Sequence, residues 1–72
     1  MQKYKDTYIE DEFEGWDGDT TYVLDDGSRW ELVNYTYSYS FSYRPKAIIW
    51  REGGRYYLEV AGMQDKQQGQ EV

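Results

Sequence analysis

The run Tyr35-Thr36-Tyr37-Ser38-Tyr39-Ser40-Phe41-Ser42-Tyr43 constrains the fold of this chain more than any other segment. Over nine positions it alternates aromatic and small polar residues without a break. An extended strand, whose side chains point alternately to two faces, is the structure that sorts such a pattern. At about 3.3 Å per residue the run spans roughly 30 Å, longer than a typical strand of ~17–20 Å. A chain of 72 residues makes one small domain. Five aromatics in line exceed the core of so small a body unless the strand bends sharply. Two readings follow. In one, a bent strand lays its rings over the core and its rim. In the other, some of the rings form an exposed ridge that holds a protein partner, a second copy or a sugar. Tyrosine suits a contact surface because it gives large rigid area and a hydroxyl at small entropic cost.

Aromatics are also the main resource the chain has for stability. A domain near this size buries only about 60% of its unfolded surface and is marginal without staples. Cysteine and histidine are both absent. That excludes a disulfide framework and the ordinary zinc, haem and iron–sulfur sites, so no metal or cofactor is expected. Aromatics make up 19% of the chain, and each can bury roughly 150–250 Å². Such richness also argues against disorder, despite the net charge of -6.

No segment repeats apolar residues at helical spacing over several turns, whereas strand signals recur between turn residues. Tyr8 to Glu14 alternates, with Ile9, Asp11 and Phe13 on one side and Glu10, Glu12 and Glu14 on the other. Two glycines in Gly15-Trp16-Asp17-Gly18-Asp19 are expected to break that strand. Thr20 to Val33 reads as a hairpin around Asp25-Asp26-Gly27. A three-residue loop with Gly27 left-handed pairs Tyr22 with Trp30 and puts Tyr22, Leu24, Trp30 and Leu32 on one face, so it is preferred to a two-residue turn. Arg44-Pro45 marks an edge, a bulge or a bend. A second hairpin turns at Gly53-Gly54, pairing Trp50 with Tyr57 and giving Ala47, Ile49, Tyr56, Leu58 and Val60 a common inner face. The expected architecture is all-β, a small antiparallel barrel or sandwich of five or six strands with no substantial helix. Residues 1–62 form the domain, and 63–72 a polar tail with room for a short last strand over 70–72.

The succession Phe13-Glu14-Gly15-Trp16-Asp17-Gly18-Asp19-Thr20, then Leu24 with Asp26-Gly27 and Trp30, then Tyr43-Arg44-Pro45, then Tyr57-Leu58-Glu59-Val60-Ala61-Gly62, resembles a family of short bacterial proteins and C-terminal domains of unknown function. The resemblance covers about residues 8 to 62. It implies a small barrel like SH3 and implies no activity. The signature of proline-peptide-binding SH3 domains is missing, so their ligand does not carry over.

Charge is unevenly placed. Residues 1–36 carry ten acids and three bases, whereas 37–72 carry four acids and five bases. From Asp6 to Asp26 there is no base. The plain use of Glu10, Glu12, Glu14, Asp17 and Asp19 is a solvated acidic face that aids solubility. A functional use is an anionic surface that meets a basic protein or mimics nucleic acid, with salt-sensitive association. Asp17-Gly18-Asp19 is only a fragment of a calcium loop. Arg44, Lys46, Arg51 and Arg55 lie near Tyr43, Trp50 and Tyr56, a mixture that could stack on single-stranded nucleic acid. The overall negative charge argues against nucleic acid as a partner, and cross-strand pairing with the acidic N-terminal strand is the plainer role for these bases. Catalysis finds no nucleophile signature, and a domain this small rarely encloses a pocket of ~300 Å³.

No apolar run approaches the ~20 residues of a membrane span, and the first residues lack a signal-peptide apolar region. The sequence is therefore expected to encode a cytoplasmic, non-enzymatic module that works by protein contact or self-association. The candidate contact residues are Tyr37, Tyr39, Phe41 and Tyr43, flanked by Trp16 and Trp50. An acidic inhibitor or nucleic-acid mimic is the alternative, and a weak single-stranded nucleic-acid binder a further one.

Overall fold

Two tight turns set the register of much of the molecule. In the computed structural model, which describes all residues Met1–Val72, Gly27 has φ +88° and the Leu24 N–H donates to the Ser28 carbonyl. This is the three-residue loop that the buried face requires. It joins β3 (Thr21–Val23) to β4 (Arg29–Leu32) with Tyr22 opposite Trp30. Gly53 and Gly54, both at positive φ, join β6 (Lys46–Glu52) to β7 (Arg55–Val60) with Trp50 opposite Tyr57 and Ile49 opposite Leu58. Ala47, Ile49, Leu58 and Val60 are buried, as are Tyr22, Leu24, Trp30 and Leu32.

The remaining strands are β1 (Gln2–Tyr8), β2 (Glu12–Asp17), β5 (Tyr37–Tyr43) and β8 (Gln67–Glu71). All pairings are antiparallel, and there is no helix, hence none long and apolar enough to cross a membrane. Six strands form one sheet in the order β1-β6-β7-β8-β4-β3, and β2 pairs with β5 as a separate ribbon. The six-stranded sheet is not closed. Its edges approach at a single bridge between Ile9 and Leu24.

Several expectations change here. The alternation from Tyr8 to Glu14 is not one strand. The chain bends at Glu10 and Asp11, where the Ile9 N–H donates to the Pro45 carbonyl and the Glu10 N–H to the Val23 carbonyl. A continuous strand would send Asp11 into the core between Ile9 and Phe13. The bend buries both apolar residues and leaves the acid outside. Gly15 does not end a strand either. At φ +99° it shifts the register between β2 and β5, and the strand continues to Asp17.

The segment 63–72 carries an internal strand rather than a loose tail. β8 lies between β7 and β4, beginning three residues earlier than the short strand expected over 70–72. A Cβ on its central residue, Gly69, would lie 2.3 Å from Leu58 Cδ1, so a larger residue there would push the buried Leu58 side chain out of place.

Aromatic rings fill the core in two groups. Trp30 packs edge-on to Tyr56 at 5.4 Å between centroids, with Tyr4 against both. Phe13, Trp16 and Tyr22 pack against one another at 5.5–5.9 Å. The second group fastens the ribbon to the sheet.

Candidate functional site

The ribbon carries the aromatic run with its rings outward. In an antiparallel pair, residues directly opposite share a face. Ser42 lies opposite Phe13 and Ser38 opposite Trp16, so the serine side of β5 is the side of the buried rings. The other side presents Tyr37, Tyr39, Phe41 and Tyr43 at 63%, 63%, 54% and 68% exposure, continued by Tyr35 at 74%. None of the five lies in the core. Phe13 and Trp16 lie buried on the serine side of the strand.

Trp16 and Trp50 do not flank this strip. Trp16 is 3% exposed and packs edge-on against Phe13 and Tyr22, so it is a core residue. Trp50 belongs to β6, in the other sheet. Its indole N–H donates to Glu59, and Lys3 and Lys66 each place an ammonium 5.7 Å from the ring. That is a cation–π arrangement already satisfied within the chain.

Beside the strip lies a cleft of about 390 Å³ between the ribbon and β3. Glu10, Asp11, Glu12, Glu14 and Asp17 line it together with Tyr37 and Tyr39. None of these carboxylates forms an ion pair. Asp19 is exposed nearby, where its N–H caps the Asp17 carboxylate at 3.0 Å. The other acids of the base-free segment are paired. Asp6 meets Lys46 at 2.9 Å and Lys3 at 3.2 Å, Asp25 meets Arg44 at 2.8 Å, and Asp26 meets Lys5 at 2.7 Å. The Lys5 ammonium and two bonds from Ser28 hold the Asp26 carboxyl down at about 2. Bonds from Lys46 and Lys3 likewise hold Asp6 below its usual range. Lys46 of β6 thus pairs across to Asp6 of β1, Arg44 joins its bend to the β3–β4 turn through Asp25, and Arg51 and Arg55 form no ion pair. No group of carboxylates is arranged to hold a metal ion.

Tyr22 positions the ribbon, a role that its sequence context does not signal. Its hydroxyl donates to the Gly15 carbonyl at 3.0 Å and accepts the Asp17 N–H at 2.8 Å. Burial pushes its phenol above the ordinary value. These contacts close the edge of β2 that faces β3. The hairpin register marks Tyr22 as inward-facing, but nothing in the sequence marks its hydroxyl's partners, because they are backbone groups seven and five residues upstream.

Comparison with family models, with curated proteins and with solved structures finds no match to this chain.

Proposed function

We propose that this chain is a non-enzymatic, cytoplasmic β-domain that works by protein contact through the outward face of β5. The observation that carries the reading is the continuous strip from Tyr37 to Tyr43, four rings more than half exposed on one strand face. Aromatic residues left in a row outside the core match the composition of protein contact surfaces rather than of bare ones. Kinship to the SH3-like barrels, and to the short bacterial family whose motifs the chain resembles, belongs to the same reading. It is supported by the approach of β1 and β3 at the Ile9–Leu24 bridge.

A photo-crosslinking amino acid at Phe41, with a control at the exposed Arg55, tests the contact in the cells that make the protein. Polypeptide adducts at position 41 and none at 55 are expected. A chain that gives no adduct at 41 does not use this face.

A second reading, an anionic surface for a basic partner, is favoured by the five unpaired carboxylates gathered in one cleft. Its mark is association that weakens steeply with salt. Adducts at Glu14 that persist unchanged in high salt would count against it.

A further inference from the structure

Every sheet edge exposes unpaired backbone groups, and proteins guard them with charge, proline, shortness or cover. Three of the four edges here are guarded. β1 carries Lys3 and Lys5 and a register shift between them. β3 is three residues long. β2 is closed by the Tyr22 hydroxyl. The outer edge of β5 differs. It is seven residues long, with no charge and no proline within it, and although its register against β2 shifts between Ser42 and Tyr39, its rings stay on one exposed face from Tyr37 to Tyr43. It pairs with β2 on one side only.

The backbone shows which groups that edge presents. The Ser38 carbonyl and the Ser40 N–H lie against Gly15 of β2. Beyond the register shift, the Arg44 N–H donates to the Asp11 carbonyl at 3.0 Å. Even-numbered residues therefore turn their N–H and C=O toward β2, and strand alternation turns those of Tyr37, Tyr39, Phe41 and Tyr43 outward.

We propose that a second copy of this chain pairs antiparallel along that edge, centred on Ser40. This rests on the contact role assigned above to β5 and names the partner. The strand Tyr37-Ser38-Tyr39-Ser40-Phe41-Ser42-Tyr43 reads the same in both directions but for one hydroxyl. A two-fold interface demands such self-complementarity. Centred on Ser40, the pairing sets Tyr39 against the second copy's Phe41 and Tyr37 against the second copy's Tyr43. These are the residues whose backbone groups point outward, so each pair exchanges two hydrogen bonds. Rings meet rings on one face and serines meet serines on the other, giving a four-stranded sheet with a doubled aromatic strip. The negative charge of each copy does not prevent this. The acids of β2 lie three strand spacings from those of the second copy, roughly 14 Å, beyond the Debye length of about 8 Å at physiological salt.

Sedimentation equilibrium from micromolar to millimolar concentration, with residue-resolved amide exchange, tests the pairing. The expected result is a mass rising to twice the 8.7 kDa of one chain. Exchange at Tyr39 and Phe41 slows as the dimer forms, whereas Ser40, whose N–H faces Gly15 of β2, keeps one rate. Tyr39→Lys with Phe41→Lys sets ammonium against ammonium, and association weakens about tenfold or more. Both positions are exposed, so the monomer keeps its urea midpoint. Mixing that variant with Tyr39→Glu plus Phe41→Glu restores a dimer. A wild-type chain that stays at single-chain mass to millimolar concentration overturns the pairing. So does a dimer whose Tyr39 and Phe41 amides exchange at the monomer rate. Where the chain is monomeric but position 41 crosslinks to another polypeptide in cells, the self-pairing fails and the contact reading stands. Where position 41 crosslinks to nothing, both fail.

Discussion

Tyr22 holds two structures together with two different parts of one side chain. Its ring packs against both Phe13 and Trp16, and its hydroxyl bonds to the Gly15 carbonyl and the Asp17 N–H. Tyr22→Phe keeps the first and removes the second. Two backbone groups lose their partner, and the expected cost is about 1–2 kcal/mol. A lower urea midpoint at unchanged slope would show it. The same residue predicts an alkaline effect. Because burial raises the phenol's pKa, the unfolded chain releases that proton first. The contribution is whole below the ordinary pKa of 10.0 and is lost as pH rises through the folded value. The gap between wild type and Tyr22→Phe should therefore narrow above pH 10, and a constant gap would contradict it. Glycines offer a second comparison at this scale. Gly27 sits at φ +88°, and a Cβ there would meet nothing within 4 Å. Gly27→Val is therefore strained through its backbone alone, by about 1–3 kcal/mol. Gly18 needs no positive φ, but a Cβ there would lie 2.4 Å from the Tyr35 ring and 3.2 Å from its Cα, so the exposed Tyr35 has to shift. Gly18→Ala should still melt above Gly27→Val, because an exposed ring can move aside whereas the Gly27 backbone cannot relax, and equal melting temperatures would refute the argument.

Elements differ in how openly the sequence declares them. Both hairpins are readable because a turn residue fixes each register and the apolar face confirms it. The aromatic run is readable as a strand but not as to which face turns inward, since period two is satisfied either way. That choice is made elsewhere, by Phe13 and Trp16. They stand three residues apart yet point to the same side, which strict alternation forbids and Gly15 at φ +99° allows. Trp16 therefore lies in the core although its neighbours read as a surface turn, while Tyr37, Tyr39, Phe41 and Tyr43 are exposed as the ridge reading expects. β8 is hidden for another reason. Its sequence, Gln67-Gln68-Gly69-Gln70-Glu71, has no apolar side chain, and it holds its interior position by backbone pairing on both edges. The ribbon and β8 can each be tested as elements. A Cβ at position 15 would lie 1.9 Å from the Ser38 carbonyl oxygen. Gly15→Ala should therefore cost more than about 3 kcal/mol and free the ribbon, exposing the β2 and β5 amides to exchange. Removing residues 63–72 should unfold the domain, because it separates β7 from β4. A truncated chain with the native near-ultraviolet circular dichroism would show that β8 is dispensable.

At the scale of the whole molecule, the excess of acid is divided between two uses. The five carboxylates of the cleft carry no counter-ion from the chain, whereas Asp6 and Asp25 tie the first half of the chain to Lys46 and Arg44, and Asp26 ties the β3–β4 turn to Lys5 of β1. This division sets the acid response. Asp26 falls from the usual 3.8 to about 2 in the folded state, chiefly through its bond from Lys5 and then those from Ser28. Its folded pKa is depressed, so the stability it supplies is present above about pH 4 and is lost as pH falls toward 2. Asp6, held below its usual range by Lys46 and Lys3, acts with the same sign. Because the Asp26–Lys5 pair is partly exposed, solvent screening trims the Asp26 contribution to about 1 kcal/mol. Asp26→Asn should thus lower the urea midpoint at neutral pH and flatten the fall between about pH 4 and 2. High salt should shrink the neutral-pH difference between the two proteins. If wild type and Asp26→Asn lose stability in parallel across that range, the acid sensitivity lies with other carboxylates, and the link from Lys5 to the β3–β4 turn does not contribute to folding.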